Sequence, residues 1–220
     1  IGHYGGDLTH ALSAWTSTSR DMTEKKRARI PALLKMLAHQ GHHTPFEKSM
    51  LHFLVCTETA SHIHILKHRV GVSVNAESAR YKEIKEDRYY VPRDWPDHQA
   101  NIIDARHVES MDIYHMLMDG LEDEGLTRKR AKETARFVRP YAQQIGADVS
   151  FNFRSFFHFL TLRYSTHAQV EIREIARLML VQVAALKGFQ HTLEAFGLIV
   201  DGCLREPYST SPWTAFLEGA

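Results

Sequence analysis

Residues 67–81 read KHRVGVSVNAESARY. Lys67, His68 and Arg69 are three consecutive basic or imidazole side chains; a Gly/Val/Ser break follows at residues 70–74. Asn75, Ser78, Arg80 and Tyr81 then close the run with hydrogen-bonding groups. Cations, a glycine hinge and close-set donors suit a planar ligand that carries phosphate. Lys and Arg meet phosphate charge, Arg through a bidentate fork, and Ser78 with the backbone N–H groups near it completes an anion nest. A solvated basic loop after a helix has the same composition, so the flanking chain decides between the two.

The 220 residues suffice for one ordinary core and are too few to force two domains. Charged residues make up 24% and the net charge is +1, which leaves no global field for nucleic acid. The two cysteines, Cys56 and Cys203, stand far apart and in no C-x-x-C frame, as in a reducing compartment. Residues 1–6 carry no signal-peptide pattern, and the apolar run at 178–186 is interrupted by Gln182 and too short to span a bilayer. A soluble, cytoplasmic protein with no membrane and no nucleic-acid partner is expected.

Outward from the basic run, a turn at Gly5, Gly6 and Asp7 leads into a helix over residues 8–15. Ile30, Leu33, Leu34 and Leu37 recur at helical spacing and predict one amphipathic helix over 23–39, with Thr23 as N-cap and Gly41 as its stop. Residues 49–57, SMLHFLVCT, read as a buried strand with Cys56 as a small core residue. A helix over 60–69 delivers the basic triplet, and a strand edge near 88–92 ends at Pro92. Residues 96–101 read as a polar connection. Helical patterns follow at 102–121 and 127–141, separated by Asp119-Gly120 and Gly125, and again at 168–186. Trp213 and Phe216 supply docking groups in the tail.

The run at 67–81 resembles the signature R-H-R…N-E-x-S-x-R-Y of the flavin-dependent thymidylate synthases. His68, Arg69, Asn75, Ser78, Arg80 and Tyr81 match. Lys67 replaces the first Arg, Ala76 replaces the Glu, and eight residues rather than seven separate Arg69 from Ser78. GHHTPFEKS at 41–49 resembles that family's G-H-x-T/S-P-F-E block through His42, Thr44, Pro45, Phe46 and Glu47. Residues 5–17 resemble its opening block in part: Ser17 falls on a flavin-contacting Ser, and Trp15 replaces an Arg. As a plain residue Ser17 is equally a helix-terminal hydroxyl satisfying backbone groups. Thr134-Ala135-Arg136-Phe137-Val138-Arg139-Pro140 resembles A-R-x-x-L-P. FNFRSFFHFLTLR at 151–163 resembles N-x-R-S-L-x-N-F-L-x-L-R, with His158 where Asn is usual, and STHAQVEI at 165–172 resembles S-H-A-Q-x-E-I. The resemblance spans residues 5–196.

What the resemblance implies is an α+β fold, a small antiparallel-type sheet packed with long helices in a single domain over 1–220, usually a homotetramer with active sites shared between subunits. It implies reductive C5 methylation of a uridylate, dUMP to dTMP, with FAD as cofactor and NADPH and methylenetetrahydrofolate as co-substrates. The flavin set it implies is Ser17, His42, Thr44, Glu47, Lys67, His68, Arg69, Asn75, Asn152, Arg154 and His158. The nucleotide set is His64, Lys67, Ala76, Glu77, Ser78, Ala79, Arg80, Arg163 and, from a neighbouring subunit, Arg136. Arg69, Ser78 and Arg163 are the catalytic assignments.

The departures gather at the nucleotide loop and keep a second substrate open: UMP, as in nucleoside-antibiotic biosynthesis, or a hydroxymethyl product. Lys67 lacks the planar fork of Arg, which keeps a catalytically silent flavin- or nucleotide-binding relative open as well. His62, His64 and His68 invite a metal, but no H-E-x-x-H frame and no third ligand accompany them, so no metal is expected.

Overall fold

The computed structural model describes residues 2–19, 21–84 and 88–210. In chain order its elements are β1 (Gly2–Tyr4), α1 (Asp7–Trp15), α2 (Glu24–Ala28), α3 (Ile30–His39), a 3₁₀ turn at Thr44–Lys48, β2 (Met50–Glu58), α4 (Thr59–Leu66) and β3 (Val72–Ala76). There follow α5 (Asp97–Asp123), α6 (Arg128–Ala135), a 3₁₀ turn at Arg136–Val138, β4 (Gln144–Phe151), α7 (Phe153–Arg163), α8 (Val170–Ala184), α9 (Gln190–Ala195), β5 (Ile199–Val200) and β6 (Cys203–Leu204). Four strands form one sheet in the order β1-β2-β4-β3, and β5 pairs with β6. β1 and β2 run antiparallel, with His3 opposite Leu51. The α+β class, a small sheet with helices, is as expected.

Local chemistry accounts for most boundaries, and for the differences from the sequence reading. Thr23 caps α2 by accepting from the Lys26 N–H at 3.2 Å. The single helix expected over 23–39 is two, broken at Arg29. Pro31 is the reason: it lacks an N–H and its ring clashes with the carbonyl four residues back, so it sits in the first turn of a new helix. Gly41 ends α3 with φ of 73°. The helix expected over 60–69 stops at Leu66, so Lys67 caps its end and His68 and Arg69 lie beyond it.

β2 is not fully buried. Strand side chains alternate between faces: Leu51, Phe53 and Val55 point into the core, while Leu54 is 86% exposed and Cys56 is exposed too, not a core residue. Helix α5 starts at Asp97, in the stretch read as polar connection, and runs through Gly120, where a break was expected. Near residues 88–92 the described chain holds an isolated bridge from Tyr89 to Gln143 in place of a strand edge. β4 carries Gly146 and Asp148, poor strand formers that hide it from periodicity; ladder pairing supplies what propensity lacks. Trp213 and Phe216 lie outside the described residues. No helix among the described residues is long and apolar enough to cross a membrane.

The chain divides into two compact units. One takes the described residues up to Phe53, His68–Val74, and those from Val149 onward; the other takes Leu54–Lys67 and Asn75–Asp148. The first has a core of phenylalanines. Phe153, Phe156 and Phe159 of α7 are fully buried with Phe46, Phe53, Phe151 and Phe189, and each such side chain contributes about 2–3 kcal/mol. In the second, Met111, Tyr114 and Met118 of α5 pack on Ala131 and Ala135 of α6.

Candidate functional site

The expected flavin residues of the first unit gather around the start of α7. The Asn152 side chain caps that helix by accepting from the Ser155 N–H at 2.8 Å. Ser155 Oγ donates to the Val70 carbonyl at 2.6 Å, and the Asn152 N–H donates to the Gly71 carbonyl at 3.0 Å. The loop after the basic triplet is thereby tied to the helix N-terminus. Only glycine fits at 71: φ is +65°, and a Cβ would lie 2.3 Å from Asn152 Nδ2 and 2.4 Å from Ser155 Oγ. The exposed Arg69 is held two residues from that contact.

His68 is buried. Arg163 Nε donates to its Nε2 at 3.1 Å, so that nitrogen keeps a lone pair and the ring proton sits on Nδ1. The rings of Phe159 and His158 lie 5.0 and 5.9 Å from it. Burial pulls Arg163 below its ordinary value. Arg154, in the first turn of α7, forms an ion pair with Glu47 from the 3₁₀ turn at Thr44–Lys48. Thr44, at the start of that turn, and His42 are exposed. The Ser17 hydroxyl donates to the Ala14 carbonyl at 3.2 Å, the helix-end role of a plain serine.

Of the expected nucleotide residues, Glu77, Ser78 and Ala79 line a cavity of about 300 Å³ in the second unit, together with this chain's own Arg136, which the resemblance draws from a neighbouring subunit. The Glu77 N–H donates to the Gly146 carbonyl at 2.8 Å, and the Gly146 N–H donates to the Glu77 carboxylate at 2.9 Å. Arg88 adds a contact at 3.3 Å. The Gly146 N–H above all, then the charges of Arg88 and Lys82, hold Glu77 below the usual carboxylate range. It is an ionised acceptor in the cavity wall.

Ser78 Oγ accepts from the Arg80 N–H at 3.3 Å, and Arg80 grips Glu133 through Nε and Nη2 at 3.1 and 2.9 Å. Arg136 Nε donates to the Glu133 carbonyl at 3.1 Å. One residue of α6 thus positions both arginines. His64, Lys67, Asn75 and Ala76 belong to the same unit but do not line this cavity.

Lys82, Arg88, Arg139 and Gln143 also line it, and the sequence reading did not single them out. Arg139 left a signal: it stands where A-R-x-x-L-P has Leu. Its guanidinium lies over the Tyr114 ring at 5.9 Å. Gln143 left none, since it sits just before β4 in an isolated bridge to Tyr89, which periodicity does not reveal. Among the described residues no group of three or more His, Cys, Asp or Glu is placed to hold a metal ion.

The family model described as "Thymidylate synthase complementing protein" matches residues 2–186. A protein named flavin-dependent thymidylate synthase from Pseudothermotoga lettingae is 29% identical over 187 residues, covering 80% of this chain and 79% of the relative. One of the same name from Mycobacterium tuberculosis is 32% identical over 175 residues, covering 73% and 68%. Among solved structures, a UMP/dUMP methylase, PolB from Streptomyces cacaoi, bound with 5-Br dUMP, is similar with a TM-score of 0.72 at 25% identity, covering 90% of this chain and 93% of that one.

Proposed function

Since the chain belongs to the thymidylate synthase complementing protein family, the flavin-dependent thymidylate synthases, we propose that it methylates C5 of a uridylate reductively. The carbon comes from methylenetetrahydrofolate and the reducing equivalents from NADPH. The observation that carries the reading is the cavity of the second unit. Its wall brings together an ionised Glu77 with Ser78, Arg136 and Arg139. That set suits a phosphorylated, hydroxyl-bearing ring compound.

The residues also fit FAD. Exposed Arg69 and Arg154 stand at the N-terminus of α7, where the helix dipole favours a pyrophosphate, and His42, Thr44, Glu47, His68, Asn152 and His158 of the same unit would complete the holding set. When bound, FAD supplies the hydride. The protein's part is orientation and charge. Lys82, Arg136 and Arg139 hold phosphate, which turns binding energy into alignment. The resemblance assigns Arg69 and Arg163 of the first unit to the negative charge that develops on uracil, and Arg163 is partly desolvated, which strengthens a charge relative to water. Arg163 Nε donates to His68 Nε2, which holds that ring in place within the first unit.

A ribonucleotide substrate is a second reading. The similarity to a UMP/dUMP methylase favours it, and so do Lys67, Ala76 and the added residue of the 67–81 loop. The family match runs through both units, which favours one functional domain. A homotetramer with shared sites, located in the cytoplasm, completes the proposal. The test incubates purified, FAD-loaded protein with methylenetetrahydrofolate and NADPH, and with dUMP or UMP in turn, and identifies the product by mass. Methylation of either uridylate supports the reading and ranks the substrates. A hydroxymethyl product would revise the reductive step, and no product from either nucleotide would leave a silent nucleotide-binding protein.

A further inference from the structure

Four polar side chains of the first unit form a continuous buried chain that the chemistry above does not use. Ser49 Oγ lies 2.8 Å from His10 Nε2, and His10 Nδ1 lies 2.9 Å from Thr192 Oγ1. Thr192 Oγ1 donates to Asp7 Oδ1 at 2.6 Å. Asp7 also accepts the Thr192 and His191 N–H groups at 2.7 and 3.1 Å. None of the four residues is more than 7% exposed.

The proton directions follow. Thr192 spends its hydroxyl proton on Asp7, so it can only accept from His10. His10 Nδ1 therefore carries the ring proton, and Nε2 takes the hydroxyl proton of Ser49. One tautomer satisfies every member. Burial keeps His10 neutral, lowering it to about 4. A serine hydrogen-bonded to a histidine invites comparison with an acyl-transfer site. Here Ser49 is 2% exposed and the acid is reached through a threonine, so no substrate meets the hydroxyl.

The surroundings of His10 point elsewhere. Its ring meets the edge of Phe46 at 5.1 Å and lies 5.9 Å from Phe153. Phe46 immediately precedes Glu47 and Phe153 immediately precedes Arg154, the two residues that form an ion pair. Ser49, two residues after Glu47, holds the other end of the same turn. His10 thus grips both backbone segments that carry the pair. We propose that the Ser49–His10–Thr192–Asp7 chain is a positioning device that sets Glu47 and Arg154 in the orientation in which they receive the flavin. This rests on the reading that the pair faces FAD. The exposed pair is worth little by itself, and its geometry comes from beneath.

The experiment compares the full chain with Thr192→Val, which keeps the shape and removes the hydroxyl, Thr192→Ser, which restores it, and Ser49→Ala. FAD is titrated against each by quenching of flavin fluorescence, the bound-flavin visible spectrum is recorded, and thermal unfolding is followed in parallel. Thr192→Val and Ser49→Ala are expected to weaken FAD binding by about tenfold and to shift the bound-flavin band, with Thr192→Ser within about twofold of the parent. Variants that melt lower yet bind FAD with unchanged affinity and spectrum would overturn the proposal. If Thr192→Val does not fold, Ser49→Ala decides by the same criteria. A parent protein that binds no FAD defeats the flavin reading and this proposal together; a parent that binds it beside unaffected variants defeats this proposal alone.

Discussion

Replacing Gly71 by Ala tests how the basic loop is held. The added Cβ would lie 2.3 Å from Asn152 Nδ2 and 2.4 Å from Ser155 Oγ, so something has to move. Asn152 and Ser155 are locked to each other by the cap at the start of α7, which leaves the loop as the part that yields. Holding alanine at φ of +65° costs about 1–2 kcal/mol. Pulling the loop away gives up the bond from Ser155 Oγ to the Val70 carbonyl, at 2.6 Å, and leaves those part-buried groups without partners, about another 1–2 kcal/mol. The sum, about 3 kcal/mol, is a large share of an ordinary domain's stability. It corresponds to a fall of about 6–12 °C in Tm for a chain of this size. Urea unfolding of the parent and of Gly71→Ala measures it directly, and FAD titration shows whether Arg69 and His68 lose their placement with the loop. A loss below about 0.5 kcal/mol, with FAD binding unchanged, would refute the claim that this close approach fixes the loop.

Stability should fall in acid through His10. Its ordinary value of 6.5 applies to the unfolded chain, and burial lowers the folded value to about 4. The unfolded state therefore binds a proton first. Stability is complete above about 6.5, is lost as the pH falls toward 4, and changes no further below that, for a total of about 3 kcal/mol. Urea unfolding between pH 7.5 and pH 4 measures this, and His10→Gln should remove most of the slope. Glu77→Gln leaves the Gly146 N–H and Arg88 facing a weaker acceptor; the uridylate KM should rise about tenfold while FAD affinity holds, as steady-state kinetics with a parallel flavin titration would show. Arg139→Leu restores the residue that the resembled motif carries and removes a cation from the cavity. It should weaken uridylate binding by about tenfold and reduce the salt dependence of binding, measured by calorimetry at two ionic strengths.

Much of the fold was legible because helices advertise themselves locally. Apolar residues recur every three or four positions, Thr23 and Thr127 cap their helices, and Gly41 marks a stop. Helical period alone does not show a break, as at Pro31, whose missing N–H starts a new helix. Strands were harder. β4 is written with Gly146 and Asp148, and its identity comes from its neighbours in the ladder. Cys56 and Leu54 looked buried because they sit in an apolar run, yet alternation turns them outward. Of the candidate site, the resemblance marks Glu77, Ser78, Arg136, Asn152, Arg154 and Arg163, but not Lys82, Arg88 or Gln143, which no spacing announces.

Sequence alone determined which chemical groups this protein carries, in which order, and which family pattern they follow, because residue identity and helical period are properties of neighbours along the chain. Only the tertiary structure decided what each group does. It set Glu77 on the Gly146 N–H, turned the Arg163 guanidinium onto His68, and tied His10 to Thr192 across a separation of 182 residues. A side chain's charge, tautomer and reach depend on which donors and acceptors folding brings within about 3 Å, and that proximity comes from packing the whole chain rather than from any stretch of it.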